Sequence, residues 1–131
     1  MVEEPLPDNT EIELQHPDYF PNNIASPSDN PLTEKGVALG RMLFYEKQLS
    51  LDGSISCASC HQQSKAFTDG EQFSTGVNGT IGVKNAMSLA NLHWTSRFFW
   101  DGRAESLEDQ ALQPISDPTE MNLPLEEAVE R

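Results

Sequence analysis

Residues Cys57-Ala58-Ser59-Cys60-His61 read C-x-x-C-H. In this arrangement two thiols can add across the vinyl groups of a haem while the adjoining imidazole takes its iron. The chain's only two cysteines both lie inside it. On a helix these positions fall within about one turn of 3.6 residues, so both sulfurs meet one edge of a porphyrin and the histidine lies under its centre. A zinc ribbon would need a second pair of ligands, and outside the motif the chain offers only His16 and His93. A thioredoxin-like C-x-x-C wants a βαβ setting, which the flanking sequence lacks. A disulfide between Cys57 and Cys60 stays open, because thiols pair in an oxidising compartment. A chain with both thiols free stays open too.

The elements that must position this motif read as helices and loops. Residues 1–31 hold six of the nine prolines, with Pro17, Pro21, Pro27 and Pro31 as punctuation, and read as an extended, acidic, Pro-rich arm. The domain proper spans 32–131. Thr33 is a plausible N-cap for a helix to about Tyr45, with Val37, Gly40 and Met42-Leu43-Phe44 on one face. Asp52-Gly53 marks a turn before the motif. From Thr68 to Lys84 the chain is rich in Gly, Thr, Ser and Asn and reads as a long loop. Further helices are expected over Asn85 to Leu92, over Ser106 to Gln113 with Ser106 and Asp109 as a short capping box and Pro114 closing it, and from Pro124 onward. That last pattern reaches Arg131 without a C-cap signal, as in a chain that continues into a second domain. The fold class is all-α: a cytochrome-c-like domain with short helices, long loops and an extended N-terminal arm.

One small core is all that 131 residues with 37% hydrophobic content provide. A covalently held haem would enlarge it, so cofactor and fold would depend on each other. No run of eighteen apolar residues exists, so no membrane span is expected. Haem attachment implies export to the periplasm, and Met1-Val2 reads as a start that replaces a removed export signal. The formal charge is −13, concentrated at the ends: eight acids and no Lys or Arg over residues 1–34, and nine acids against two basic residues over 101–131. This excludes the basic footprint of a nucleic-acid binder. It suits either a solvated acidic surface or the steering of a basic electron-transfer partner.

A familiar order surrounds the motif. It runs Leu39-Gly40-Arg41-Met42-Leu43-Phe44, Leu49-Ser50, Ile55-Ser56 and the motif itself, then Ala66-Phe67-Thr68-Asp69-Gly70 and Lys84-Asn85. Phe98-Phe99-Trp100-Asp101-Gly102-Arg103-Ala104, Ser106-Leu107-Glu108-Asp109-Gln110-Ala111 and Pro114-Ile115 complete it. From about Leu32 to Met121 this resembles the N-terminal domain of the bacterial dihaem cytochrome c peroxidases. The resemblance implies one covalent haem c per chain, held by Cys57 and Cys60 with His61 as proximal ligand. A second haem domain would feed it electrons. Trp100 corresponds to the tryptophan between the two haems, with an ordinary core aromatic as the alternative. Gln110, Pro114 and Glu120 correspond to the peroxide pocket: an orienting amide, a proline that leaves the sixth position without a ligand, and a proton-shuttling carboxylate. Asn85 corresponds to a residue that helps bind calcium, with helix N-cap as the alternative. Arg103 is a candidate partner for a haem propionate, with Asp101 or Glu105 as the ordinary alternatives.

Where many family members have a ligand histidine in the glycine-rich loop, Thr75-Gly76-Val77-Asn78-Gly79 has Val77, and no histidine lies between His61 and His93. That resembles the branch needing no reductive activation, which includes the enzyme that matures the tryptophan-derived quinone of methylamine dehydrogenase. The leading reading is reduction of hydrogen peroxide with electrons from a second haem or a small donor such as a cytochrome c or cupredoxin. An oxidase that modifies a protein substrate stays open. So does a monohaem electron-transfer cytochrome with Met42, Met87 or Met121 as sixth ligand; Met42 and Met87 sit in helical apolar patterns and read as core.

Overall fold

The Thr33 hydroxyl accepts the N–H of Gly36 at 3.1 Å, and helix α1 follows as Glu34–Tyr45. The structure is a computed structural model that describes residues 9–21, 27 and 29–131; the rest of the expected arm lies outside the described residues. The chain divides into two compact units, Met1–Leu43 and Phe44–Arg131. In the first, residues 10–12 run antiparallel to 32–34. Ile12 N–H donates to Leu32 O at 2.9 Å and Glu34 N–H to Thr10 O at 3.0 Å.

The second unit carries the motif. Helix α2 is a single turn, Cys57–Cys60, and α3 (Leu107–Ser116) packs against α4 (Leu125–Glu130). Short 3-10 turns at Lys47–Leu49, Gln63–Lys65, Val77–Gly79 and Leu92–Trp94 link them. No strand forms among the described residues. Isolated antiparallel bridges, Gln62 with Thr68, Thr75 with Ile81 and Phe98 with Ala104, close the long loops. The buried apolar residues described are Val77, Phe98, Ala104, Met121 and Leu123, a thin core that lies entirely in this unit.

Three expectations need correction. Residues 85–91 are not helical, and Leu92 only opens the 3-10 turn Leu92–Trp94. The Asn85 carbonyl, which a helix would give to the N–H four residues on, instead accepts Trp100 Nε1–H at 3.2 Å. The Ser88 hydroxyl accepts the Ala90 N–H at 3.3 Å, and Asn91 is left-handed at φ 58°, so local side-chain bonding joins the distant partner in displacing the helix. Pro114 does not close α3, which runs on to Ser116. Its final carbonyls are taken by the returning chain: Pro114 O accepts Met121 N–H at 3.1 Å and Ile115 O accepts Leu123 N–H at 2.7 Å. Leu123 is fully buried there, and this packing outweighs the proline's missing donor. Finally, Met42 is not core: it is 64% exposed, and Met87 is only half-buried.

Candidate haem-binding site

Ser56, buried at the start of α2, donates its N–H to Ser59 Oγ at 3.0 Å, which fixes the turn that presents both thiols. Cys57 and Cys60 are half-buried and unpaired, so the disulfide is not formed in this structure. Burial pushes both thiols up; Cys60 rises to about 11, with Asp69, Glu120 and Cys57 adding in that order. A redox-active C-x-x-C pair needs the opposite, a lowered thiol pKa.

The turn after α2 aims the histidine. His61 Nδ1 lies 2.9 Å from the Phe67 carbonyl. A carbonyl only accepts, so Nδ1 carries the proton and Nε2 keeps its lone pair for a metal. To place that carbonyl, Ala66 and Phe67 adopt φ of 55° and 60° in succession. Left-handed backbone of this kind costs about 1–3 kcal/mol per non-glycine residue and persists where the surroundings enforce it. An open cavity of about 510 Å³, lined by Tyr45, Ala58, His61, Gln62, Gln63 and Ser64, lies on the histidine side. Its size is within the roughly 300–1,000 Å³ of ordinary ligand sites. Gln110 and Glu120 are not among its lining residues.

The glycine-rich loop packs directly on the Thr119–Glu120 backbone. Val77 N–H donates to Glu120 O at 2.8 Å, and a Cβ at Gly76 would fall 2.1 Å from Thr119 O and 2.6 Å from Glu120 O, so only glycine allows this approach. Burial raises the Glu120 carboxyl above its ordinary value; Asp117 raises it further and Arg103 opposes both. The charge of Glu120 in turn raises Cys57 and Cys60, after larger effects of burial. Val77 itself is buried at 1% exposure.

The segment from Phe98 to Ala104 folds back on itself. Phe98 and Ala104 exchange backbone bonds of 3.0 and 3.4 Å, and Gly102 turns at φ 69°. Arg103 Nη1 forks onto both Asp101 oxygens at 3.0 and 3.1 Å, Nε reaches Gln113 Oε1 at 3.1 Å, and the guanidinium lies 3.4 Å over the Phe99 ring. Of the two expected alternatives for Arg103, Asp101 is the partner; Glu105 pairs with Arg97 at 2.6 Å. Lys84 first, and then Arg103, hold Asp101 down to about 2. Trp100 is 58% exposed, so the core reading of this residue fails.

Gln110 is half-buried on α3, one turn before Pro114. Asn85 is exposed, and with no helix there it caps nothing. Among the described residues no three His, Cys, Asp or Glu side chains gather to hold a metal ion. Sequence reasoning missed the Phe67 carbonyl, Gly76 and Gln113. The first acts through its backbone and the second through its lack of a side chain, so neither leaves a chemical signature in the sequence. Gln113 lies on the same side of α3 as Asp109, four residues back, to which it donates at 3.3 Å.

Residues 34–131 match the family described as di-haem cytochrome c peroxidase. The chain belongs to this family. It is 43% identical over 111 residues to the methylamine utilization protein MauG of Methylorubrum extorquens, covering 85% of this chain and 31% of that one. It is 36% identical over 121 residues to the cytochrome c peroxidase Ccp of Escherichia coli, covering 84% and 26%. A solved MauG-like protein associated with microbial copper homeostasis superposes with a TM-score of 0.82 at 39% identity, covering 91% of this chain and 35% of its own. The chain therefore spans about a third or less of these relatives. As the name of the di-haem cytochrome c peroxidases implies, haem c is the family's cofactor, and this chain's residues fit it. Two unpaired thiols sit one helical turn apart, the following imidazole has a free Nε2, and the thin apolar core would gain from a large flat hydrophobe.

Proposed function

We propose that this chain is the peroxide-reducing haem domain of a periplasmic di-haem oxidoreductase, converting hydrogen peroxide, two electrons and two protons into two waters. What supports this reading is the half-buried carboxyl of Glu120, whose proton affinity burial raises and whose charge is felt at both Cys57 and Cys60. Cys57 and Cys60 would tether one haem and His61 Nε2 would hold its iron. Bound there, the haem supplies the redox centre that takes up peroxide and passes it electrons.

The chain's own residues manage the protons. A carboxyl whose proton affinity is raised by burial can both accept and return a proton, so Glu120 would carry one from the near to the far peroxide oxygen. Gln110 would orient the peroxide by hydrogen bonding, and Pro114 would keep a ligand off that side. Exposed Trp100, tied at Nε1 to the Asn85 carbonyl, would pass electrons from a second haem domain, itself supplied by a small protein such as a cytochrome c or cupredoxin. Arg103 would meet a haem propionate while keeping its fork on Asp101.

Val77, and the 43% identity to a MauG protein, favour a second reading, in which the oxidising power is spent on a protein substrate through Trp100. The test mixes the haem-loaded native protein and Glu120→Gln with hydrogen peroxide in stopped flow. The variant should react about 10²- to 10⁴-fold more slowly, the usual scale of acid–base assistance. Equal rates would remove Glu120 from the mechanism. A native ferric spectrum with a methionine-to-iron charge-transfer band would favour the electron-transfer cytochrome instead.

A further inference from the structure

The peptide unit joining Ala66 to Phe67 is held at both ends. Its oxygen accepts the Ser88 hydroxyl at 2.7 Å, and its N–H donates to Gln62 O at 2.8 Å. The next carbonyl along the chain, that of Phe67, is the one that fixes His61 Nδ1. Both residues of this unit are left-handed, a conformation that surrounding contacts must enforce. The other bonds in the turn are local: Ala66 N–H to Gln63 O at 3.3 Å, Thr68 N–H to Lys65 O at 3.2 Å and Gln62 N–H to Thr68 O at 3.1 Å. Ser88 reaches in from 22 residues further on. By accepting the Ala90 N–H at 3.3 Å, its oxygen is oriented to give its own hydrogen to Ala66.

We propose that Ser88 is a positioning residue for His61: by clamping the Ala66–Phe67 peptide unit it sets the Nδ1–H···O=C bond and so the donor strength of Nε2. The proposal rests on the reading of His61 as an iron ligand. A well-aligned Nδ1–H bond to a carbonyl raises the basicity of the opposite ring nitrogen, which favours ferric over ferrous iron. Without the hydroxyl, the peptide unit loses its long-range partner. Held then only through its N–H to Gln62 O, it can tilt, easing Phe67 from its strained conformation and lengthening the bond between its carbonyl and the ring.

The experiment uses the haem-loaded protein as native chain, Ser88→Ala, Ser88→Val and Ser88→Thr. Valine and threonine have nearly the same shape, and threonine alone keeps the hydroxyl. Two quantities are read: the reduction potential, and the iron–histidine stretching frequency of the ferrous protein by resonance Raman. Ala and Val should shift the potential upward and the frequency downward, and Thr should stay near native. Unchanged values in Ala and Val, or equal shifts in Val and Thr, would overturn the role of Ser88. Covalent haem content, measured separately as the pyridine haemochrome, tests the underlying reading. A native chain that carries no covalent haem sinks that reading by a different signal.

Discussion

At the scale of single residues, burial is the largest influence on the titration of Glu120, Cys57 and Cys60. Glu120 has its carboxyl raised above the ordinary 4.5 by desolvation first and by Asp117 second. A carboxyl whose folded pKa lies above its unfolded value contributes stability below the unfolded pKa. That contribution is lost as pH rises through the folded pKa, because the folded state then holds the extra proton less and less. Glu120→Gln should therefore gain stability relative to native as pH climbs from about 4 through the raised value, with the difference level above it. Urea midpoints at a series of pH values measure this, and a difference that ignores pH would contradict the burial. The cysteines make a sharper prediction. Replacing Cys57 and Cys60 together with alanine should leave haem that acid–acetone extracts, whereas the native haem should stay with the protein.

At the scale of elements, loops hold the site as much as helices do. The glycine-rich loop reaches the Thr119–Glu120 backbone only because Gly76 has no side chain. Gly76→Ala should cost about 1–3 kcal/mol, as overpacking against fixed backbone does, and should slow the reaction with peroxide because Glu120 is displaced with it. Helix α3 depends on its first turn in an ordinary way: Ser106 Oγ accepts the Asp109 N–H at 3.0 Å. Ser106→Ala should cost about 0.5–2 kcal/mol and leave the peroxide rate nearly unchanged. Urea unfolding and stopped-flow kinetics on the two variants should thus separate an element that shapes the site from one that only supports it.

At the scale of the whole molecule, charge and core act together. With a formal charge of −13, the chain attracts cationic partners over distances that salt shortens to about 8 Å at physiological ionic strength. Electron delivery by a basic cytochrome c should slow as salt is raised, while the reaction with uncharged hydrogen peroxide should not. Stopped-flow rates from low to high ionic strength, with each reactant in turn, check both halves. The exposed apolar side chains of α1, including Leu39 and Met42, and the few fully buried residues of the second unit leave folding short of apolar burial. Haem loading should therefore raise the urea midpoint well above that of the haem-free chain.

The sequence by itself determined the family and the local geometry that spacing encodes. Two thiols and an imidazole within one helical turn, a serine three residues before Asp109, a threonine opening α1 and the ordered strings around Trp100 depend on local geometry, which three or four residues dictate. The glycine-rich loop was legible as a loop because no short-range period competes there. What only the tertiary structure decided are the features whose partners lie far along the chain. The Asn85 carbonyl takes an indole N–H 15 residues away, and the Ser88 hydroxyl takes a carbonyl 22 residues back, so a segment with helical pattern stays irregular. Helix α3 passes its proline because residues 121 and 123 return to satisfy its carbonyls. Phe67 serves through a main-chain oxygen and Gly76 through an absent side chain. Residue type encodes neither of these, because a hydrogen bond to backbone and a close approach of two loops depend on where the chain has folded.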